Sequence, residues 1–522
     1  MVQFITPEKA AAFVSDEATI ALGGFAACGG PDALMAALAD RYRQTSHPAN
    51  LTVVTGVGTG DFSSDDIGMN RIALDGMIRN VIAGHLGNCP NISKMAAANK
   101  IGAYTIPLGV VAHLFRAIAG KKPGVITHVG LGTFADPRLE GCKVNDLAKA
   151  QDREIVKVIE LEGNEYLFYP SFDIDVCFIR GSYADQEGNI SIERESLTGL
   201  EMEIATAVHN CGGKVIVQVE EILETGSIHP RKVRIHNSLV DYVVVAPSPE
   251  LHMQNYVTKL AVDACSTGDI RLPAGGAMSL PMNIRKIIAR RGAMDLKPGD
   301  VINLGIGIPA GVGAVASEEE ILSDITLSLE TGSIGGIPQA NGFGRSINPK
   351  AIYALSDTFD QYDGGMLDAA CLGAAEIDER GNVNSSKFGP LCPGPGGFIN
   401  ISQNTPKVNF MLSFTAGKSE IGVADGKLNI VQDATGVKFV KKLQQVTFSA
   451  DYARKIGQEV KYMTERAVFR LVDEGIELIE IAPGVDLEKD ILAHMEFKPL
   501  ISKDLKLMDE RIFREEKMGL HF

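Results

Sequence analysis

The feature that most constrains this chain is a turn that it contains twice. "CFIRGSYADQEGNISI" (177–192) and "CLGAAEIDERGNVNSS" (371–386) share a D-x-x-G-N motif followed by Ile or Val. In both places the spacing from the aspartate to a lysine is 29 positions, from Asp185 to Lys214 and from Asp378 to Lys407. Each lysine opens a β-branched run, "KVIVQV" or "KVNFML", and upstream "TIALGGF" (19–25) is matched by "VINLGIG" (301–307). Such repetition predicts a duplicated fold. Each half needs its own core, and 522 residues exceed what one core ordinarily serves.

The short β-branched runs end in glycine and are often followed by helical periodicity, as in "PDALMAALADRYRQ", which is the alternation of a parallel α/β protein. The expected architecture is therefore α/β, two tandem open domains of related topology. The first is expected over 1–271 and the second over 300–522. Between them 272–299, with two prolines and a glycine pair before a basic helix, reads as a linker. "AVFRLVDEGIELIEIAPG" (467–484) alternates on both sides of a D-E-G turn and predicts a hairpin.

Fifty basic against 65 acidic side chains leave a net charge of −15, so no basic field exists for nucleic acid or an anionic membrane. No basic segment leads into a long apolar run at the start, and no unbroken apolar stretch reaches about 18 residues, so neither a signal nor a membrane span is expected. The eight cysteines form no CxxC pair, which argues against a metal site or a disulfide framework and for a reducing cytoplasm.

One carboxylate stands out. In "TLSLETGSIGG" (326–336) Leu327 and Leu329 alternate with Thr326 and Ser328 as in a strand, and Gly332 marks its end. Glu330 is thus expected at a strand's C-terminal edge, where open α/β sheets bind ligands. Gly332, Gly335 and Gly336 suit a turn that exposes backbone N–H groups beside it. Taken alone, a glutamate at such a junction is more often a solvated surface residue without a role. "CPGPGGFIN" (392–400) packs Gly394, Gly396 and Gly397 into a loop over which a bulky ligand could lie, and "NLGIGIPAG" (303–311) follows a strand. The latter reads G-x-G-x-x-x-G, with Asp324 following Gly305 by 19 residues, so a dinucleotide site competes. "GKS" at 417–419 has Leu412 where a phosphate-binding loop needs glycine, and no G-x-S-x-G elbow is present. His85 and His128 stand beside glycines and receive no role.

Together these segments resemble the family I coenzyme A transferases, most closely the single-chain short-chain acyl-CoA:acetate type, over nearly the whole chain. "DEATIALGGFAACGGP" (16–31) is similar to the family's first signature, departing at Glu17, where glycine or asparagine is usual. The second signature has serine, glutamate, asparagine and glycine in succession. Here Leu329, Glu330, Thr331 and Gly332 take those places, the E-T-G form of the acetate and propionate subgroup. "GTFADPRLEGCKVN" (132–145), "FDQYDGGMLDAA" (359–370) and "KLMDERIF" (506–513) add segments similar to that subgroup.

The resemblance implies a CoA transferase-like duplication with its active site in the cleft between the domains. It implies that Glu330 attacks an acyl-CoA to give a mixed anhydride, then carries a glutamyl-CoA thioester from which a second carboxylate takes the CoA. The 394–397 loop is assigned the oxyanion, and Gly305, Gly307 and Ile308 the CoA chain. Coenzyme A is then substrate and covalent intermediate, with no permanently bound cofactor. The partners are acyl-CoA and short-chain carboxylic acids, and the assembly is a homo-oligomer, dimer or tetramer. In the first half the strand end taken to correspond reads "HVGLGTF" (128–134), without a glutamate, so one centre per chain is expected. The rivals are an acyl-CoA hydrolase using the same glutamate, an NAD(P)-dependent oxidoreductase built on "GIGIPAG" and Asp324, and a non-catalytic ligand sensor.

Overall fold

The structure is a computed structural model describing residues 2–273, 280–339 and 344–522. Its chain forms two compact units. The first comprises Met1–Arg271, Glu330–Asp360 and Gly389–Asn400, the second Leu272–Leu329, Gln361–Phe388 and Ile401–Phe522. This differs from a serial split at residue 300, because two segments of the second half cluster with the first unit. Backbone hydrogen bonds tie them there: Leu355 N donates to Gly199 O (3.2 Å), Asn348 N to Cys265 O (3.1 Å) and Gly396 N to Gly84 O (3.0 Å). The chain changes unit at the peptide bond between Leu329 and Glu330.

The first unit is built on an eight-stranded sheet. Its strands are β1 (Gln3–Phe4), β2 (Thr19–Leu22), β3 (Leu51–Val57), β4 (Ile78–His85), β5 (Gly102–Thr105), β6 (Val176–Arg180), β7 (Lys214–Val219) and β8 (Tyr242–Val245). They lie in the order β1-β8-β7-β6-β2-β3-β4-β5, with every neighbouring pair parallel. Parallel strands need crossover connections, which cover the sheet and explain why β3 and β6 are buried along their whole length. Helices α1 (Asp32–Thr45) and α2 (Leu108–Ala119) are two such crossovers. Helix α2 buries Leu108, Val111, Leu114, Phe115 and Ile118, an i, i+3, i+4, i+7 face.

In the second unit eight strands follow: β9 (Val301–Leu304), β10 (Thr326–Ser328), β11 (Ala369–Gly373), β12 (Lys407–Met411), β13 (Glu459–Met463), β14 (Ala467–Val472), β15 (Gly475–Ile481) and β16 (Leu500–Leu507). Their order is β10-β9-β11-β12-β13-β14-β15-β16. The antiparallel pair β14–β15 is the hairpin expected over 467–484.

The duplication is visible in the order and in the atoms. Strands β8-β7-β6-β2-β3 of one unit and β13-β12-β11-β9-β10 of the other run alike. At both D-x-x-G-N turns the aspartate Oδ1 accepts from the asparagine N–H (2.9 Å each), and Oδ2 accepts from the asparagine side chain (2.9 and 2.8 Å). Register then corrects one correspondence. Thr19 lies beside Thr52 as Val301 lies beside Thr326, so the counterpart of Glu330 is Gly56, not a residue of "HVGLGTF". Residues 124–127, which precede that segment, belong to a separate antiparallel sheet.

Of the expected linker, residues 274–279 lie outside the described residues. The basic helix that follows, α3 (Ile284–Ala293), is capped by Asn283, whose side chain accepts from Arg285 N and Lys286 N. It is no free linker. Ile287, Ile288 and Ala289 are wholly buried in the second unit's core, Arg291 pairs with Glu480 (2.8 Å), and Arg290 donates to Glu516 O (2.8 Å). Its cationic groups satisfy backbone carbonyls and a carboxylate of the second unit.

Candidate active site

The strand before Glu330 is fixed from within the second unit. Asn303 Nδ2 donates to Ser328 O (3.0 Å), and the Ser328 and Tyr362 hydroxyls share a 2.7 Å hydrogen bond. In the first unit Thr331 Oγ1 donates to Gly344 O (2.6 Å) immediately after Glu330. Gly332 has φ +104°, and a Cβ on it would overlap Tyr353 O; one on Gly336 would overlap Ile347 O. These two glycines therefore allow a close approach of backbone to backbone.

The donor beside Glu330 comes from the 392–400 segment. Gly397 N–H hydrogen-bonds the Glu330 carboxylate, and a Cβ on Gly397 would overlap Glu330 Oε2 and reach the Phe359 ring at 3.0 Å. Burial pushes the Glu330 carboxyl up to about 7, and the Gly397 N–H offsets part of that rise. The loop is held on both sides. Leu86 N donates to Pro393 O (2.7 Å), Leu108 N to Gly396 O (2.9 Å), and Gly109 N to the Asn400 side chain (3.1 Å).

His85, at the end of β4, completes this frame. Its Nδ1 lies 3.1 Å from Gly394 O and must carry the proton to donate there. Burial lowers the imidazole's pKa, and the hydrogen bond to Gly394 O offsets part of that fall. In the sequence a histidine beside glycines reads as an ordinary core or turn residue, and the partner that gives His85 its place is a carbonyl 309 residues away. Glu201 was missed altogether. Its carboxyl, pushed up to about 8 by burial, accepts from Gly24 N–H (3.2 Å) in the "TIALGGF" turn.

Glu330, Gly394, Gly396 and Gly397 thus belong to one unit, whereas Gly305, Gly307 and Ile308 belong to the other. They form the turn after β9, where Gly305 N donates to Cys371 O (2.8 Å) and Gly307 has φ +83° with open space beside it. Asp324 ends a short turn, Leu322–Asp324, before β10. A ligand beyond the strands' carboxyl ends would find it at the wrong end of the strand, which removes the geometric basis of the dinucleotide reading.

A buried carboxylate with a near-neutral pKa and one N–H donor can act as a nucleophile or exchange a proton. The profile of the family described as Coenzyme A transferase matches residues 4–246. The chain is 44% identical to the caffeate CoA-transferase of Acetobacterium woodii, covering 100% of this chain and 99% of that protein. The chain belongs to the coenzyme A transferase family. It is also 43% identical to the acetate CoA-transferase YdiF of Escherichia coli strain K12, over 99% of this chain and 96% of that one. Among solved structures, the YdiF acyl-CoA transferase of E. coli O157:H7 in a thioester complex with CoA superposes with a TM-score of 0.93 at 42% identity. The match covers 100% of this chain and 98% of that one. Like its relatives this coenzyme A transferase moves CoA between an acyl-CoA and a free carboxylate.

Proposed function

We propose that this coenzyme A transferase works by a ping-pong mechanism through a glutamyl-CoA thioester on Glu330, with short-chain acyl-CoA donors and acceptors of the acetate class. The observation that carries the reading is the buried Glu330 carboxylate against the Gly397 N–H. A desolvated, fixed carboxylate attacks a thioester carbonyl far better than one in water. Its oxygen bonds to that carbon and the C–S bond breaks, leaving an acyl-glutamyl anhydride and CoA thiolate. The thiolate then attacks the glutamyl carbonyl and expels the first acid. A second carboxylate reverses both steps and restores Glu330.

Each addition puts negative charge on a carbonyl oxygen, and the Gly397 N–H, which already bonds the Glu330 carboxylate, is assigned to stabilise it when the glutamyl carbonyl is attacked. Gly394 and Gly396 shape that loop, and Gly305, Gly307 and Ile308 are assigned to the CoA chain. Support comes from YdiF of E. coli O157:H7, described as a thioester complex with CoA, and from relatives named for acetate and caffeate, both carboxylates. A homo-oligomer in the cytoplasm is part of the proposal. The eight cysteines include no CxxC pair, and among the described residues no helix is long and apolar enough to cross a membrane.

Initial rates with acyl-CoA and acetate varied together give parallel double-reciprocal lines on this mechanism. Intersecting lines contradict it, and free CoA accumulating in the absence of any acceptor acid indicates hydrolysis instead.

A further inference from the structure

Away from Glu330, the first unit contains a cavity of about 140 Å³ whose wall is formed by Ile82, Ile106, Leu114, Pro170 and Phe172. Ile82, Ile106 and Leu114 are at most 4% exposed, so this is core surface and not an exposed dimple. A smaller apolar recess lined by Val54, Val111 and Phe115 continues the same wall. Arg153 lies at the cavity's edge, with its guanidinium carbon 5.9 Å from the centroid of the Phe172 ring. Among the described residues no hydrogen bond or ion pair engages its side chain.

The neighbouring carboxylate does not neutralise it. Glu154, which also lines the cavity, is paired with Lys157 at 3.3 Å. The groups that act on Arg153 are the Tyr104 phenol and a second cation, Arg79. Burial, with Arg79 adding to it, disfavours the guanidinium charge. A partly buried guanidinium without a counter-charge, above an apolar hole, is complementary to an anion with a compact apolar tail. The volume matches a single phenyl ring, since a cavity of roughly 150 Å³ accommodates benzene.

We propose that this cavity is a second carboxylate-binding site, taking a small monocarboxylate such as benzoate with its ring among Ile82, Ile106, Leu114 and Phe172 and its carboxylate on Arg153. The site is separate from Glu330 and does not depend on the glutamyl thioester. Its wall is nonetheless continuous with the frame of the glycine loop. Strand β4 carries both Ile82 and His85, and the chain from Ile106 leads to Leu108, whose N–H holds Gly396. An acid bound here would therefore brace the elements that position the loop.

The test is a fluorine NMR titration of the full-length enzyme with 4-fluorobenzoate and, separately, with neutral 4-fluorobenzyl alcohol. Arg153→Met should weaken one class of 4-fluorobenzoate sites by roughly tenfold or more, the effect of losing a charge-assisted hydrogen bond. Binding of the alcohol and the kcat of CoA transfer should stay within twofold of wild type. An unchanged 4-fluorobenzoate isotherm in Arg153→Met overturns the assignment, and so does an equal loss for the alcohol. Wild-type crystals soaked in 4-bromobenzoate give an independent answer should the variant fold poorly. A bromine anomalous peak within the cavity supports the site, and peaks only elsewhere, or none, refute it.

Discussion

Glu330 combines two demands that oppose each other. Burial makes its carboxylate reactive and at the same time makes the charged form costly. Its pKa rises from the usual 4.5 to about 7 in the folded chain, so the folded state binds the extra proton between those values. The stability this contributes is full below about pH 4.5 and is lost as the pH rises through about 7. Glu330→Gln, which keeps the shape and discards the charge, should therefore stabilise the protein at pH 8 by an amount on the order of 3 kcal/mol, and at pH 4 by close to nothing. Urea denaturation at the two pH values measures the difference; an equal effect at both would show that desolvation is not the cause. Glu17 carries a different strain. Its φ is +63°, the left-handed region in which side chains other than glycine and asparagine are disfavoured by about 1–2 kcal/mol. The signature's usual glycine or asparagine at this place is thereby explained. Glu17→Gly should raise stability by about 0.5–1 kcal/mol without touching turnover, and a fall in thermal midpoint would contradict the backbone argument.

At the scale of elements, the three glycines of the 392–397 loop look interchangeable in sequence and separate in three dimensions. A Cβ at Gly397 meets the Glu330 carboxylate, one at Gly394, with φ +96°, meets Gly84 O at 2.7 Å, and one at Gly396 meets nothing closer than His85 Cβ at 3.9 Å. Gly397→Ala keeps the N–H but drives a methyl group into the Glu330 carboxylate, and should lower kcat by about a hundredfold or more, the scale on which disturbing an oxyanion donor acts. Gly394→Ala should lower stability by about 1–3 kcal/mol, and Gly396→Ala should be the mildest of the three. Steady-state kinetics beside thermal denaturation of the three variants distinguishes this ordering from a uniform effect. The strands and hairpins were legible beforehand because their signals are local. Alternation marks β10, glycine ends it, and the D-x-x-G-N turn states its own hydrogen bonds. The partners of the glycine loop were not legible. His85 reaches Gly394 across 309 residues, and nothing in "GHLGNCP" distinguishes a positioning histidine from an ordinary turn residue. The dual use of glycine misled in the same way, since Gly332 and Gly336 make room for backbone while Gly397 makes room for a carboxylate.

Across the whole molecule, duplication set the architecture and divergence set the chemistry. Both halves of the chain keep the same five-strand order and the same turn hydrogen bonds, yet the position that holds Glu330 in the second half is Gly56 in the first. At this strand end only the second half carries a carboxylate. The repeat announced the two cores but not the exchange of segments 330–360 and 389–400 into the first unit, which depends on backbone pairings between distant residues such as Leu355 and Gly199. The central claim, that this single carboxylate carries coenzyme A, is open to one direct measurement. The enzyme is incubated with acetyl-CoA without any acceptor acid, quenched in acid and digested, and the peptide containing Glu330 is weighed by mass spectrometry. The account predicts that this peptide alone gains the mass of CoA less one water and that Glu330→Ala abolishes both the adduct and transfer. An unmodified Glu330 peptide under conditions of full turnover, or CoA attached to another residue, would contradict it.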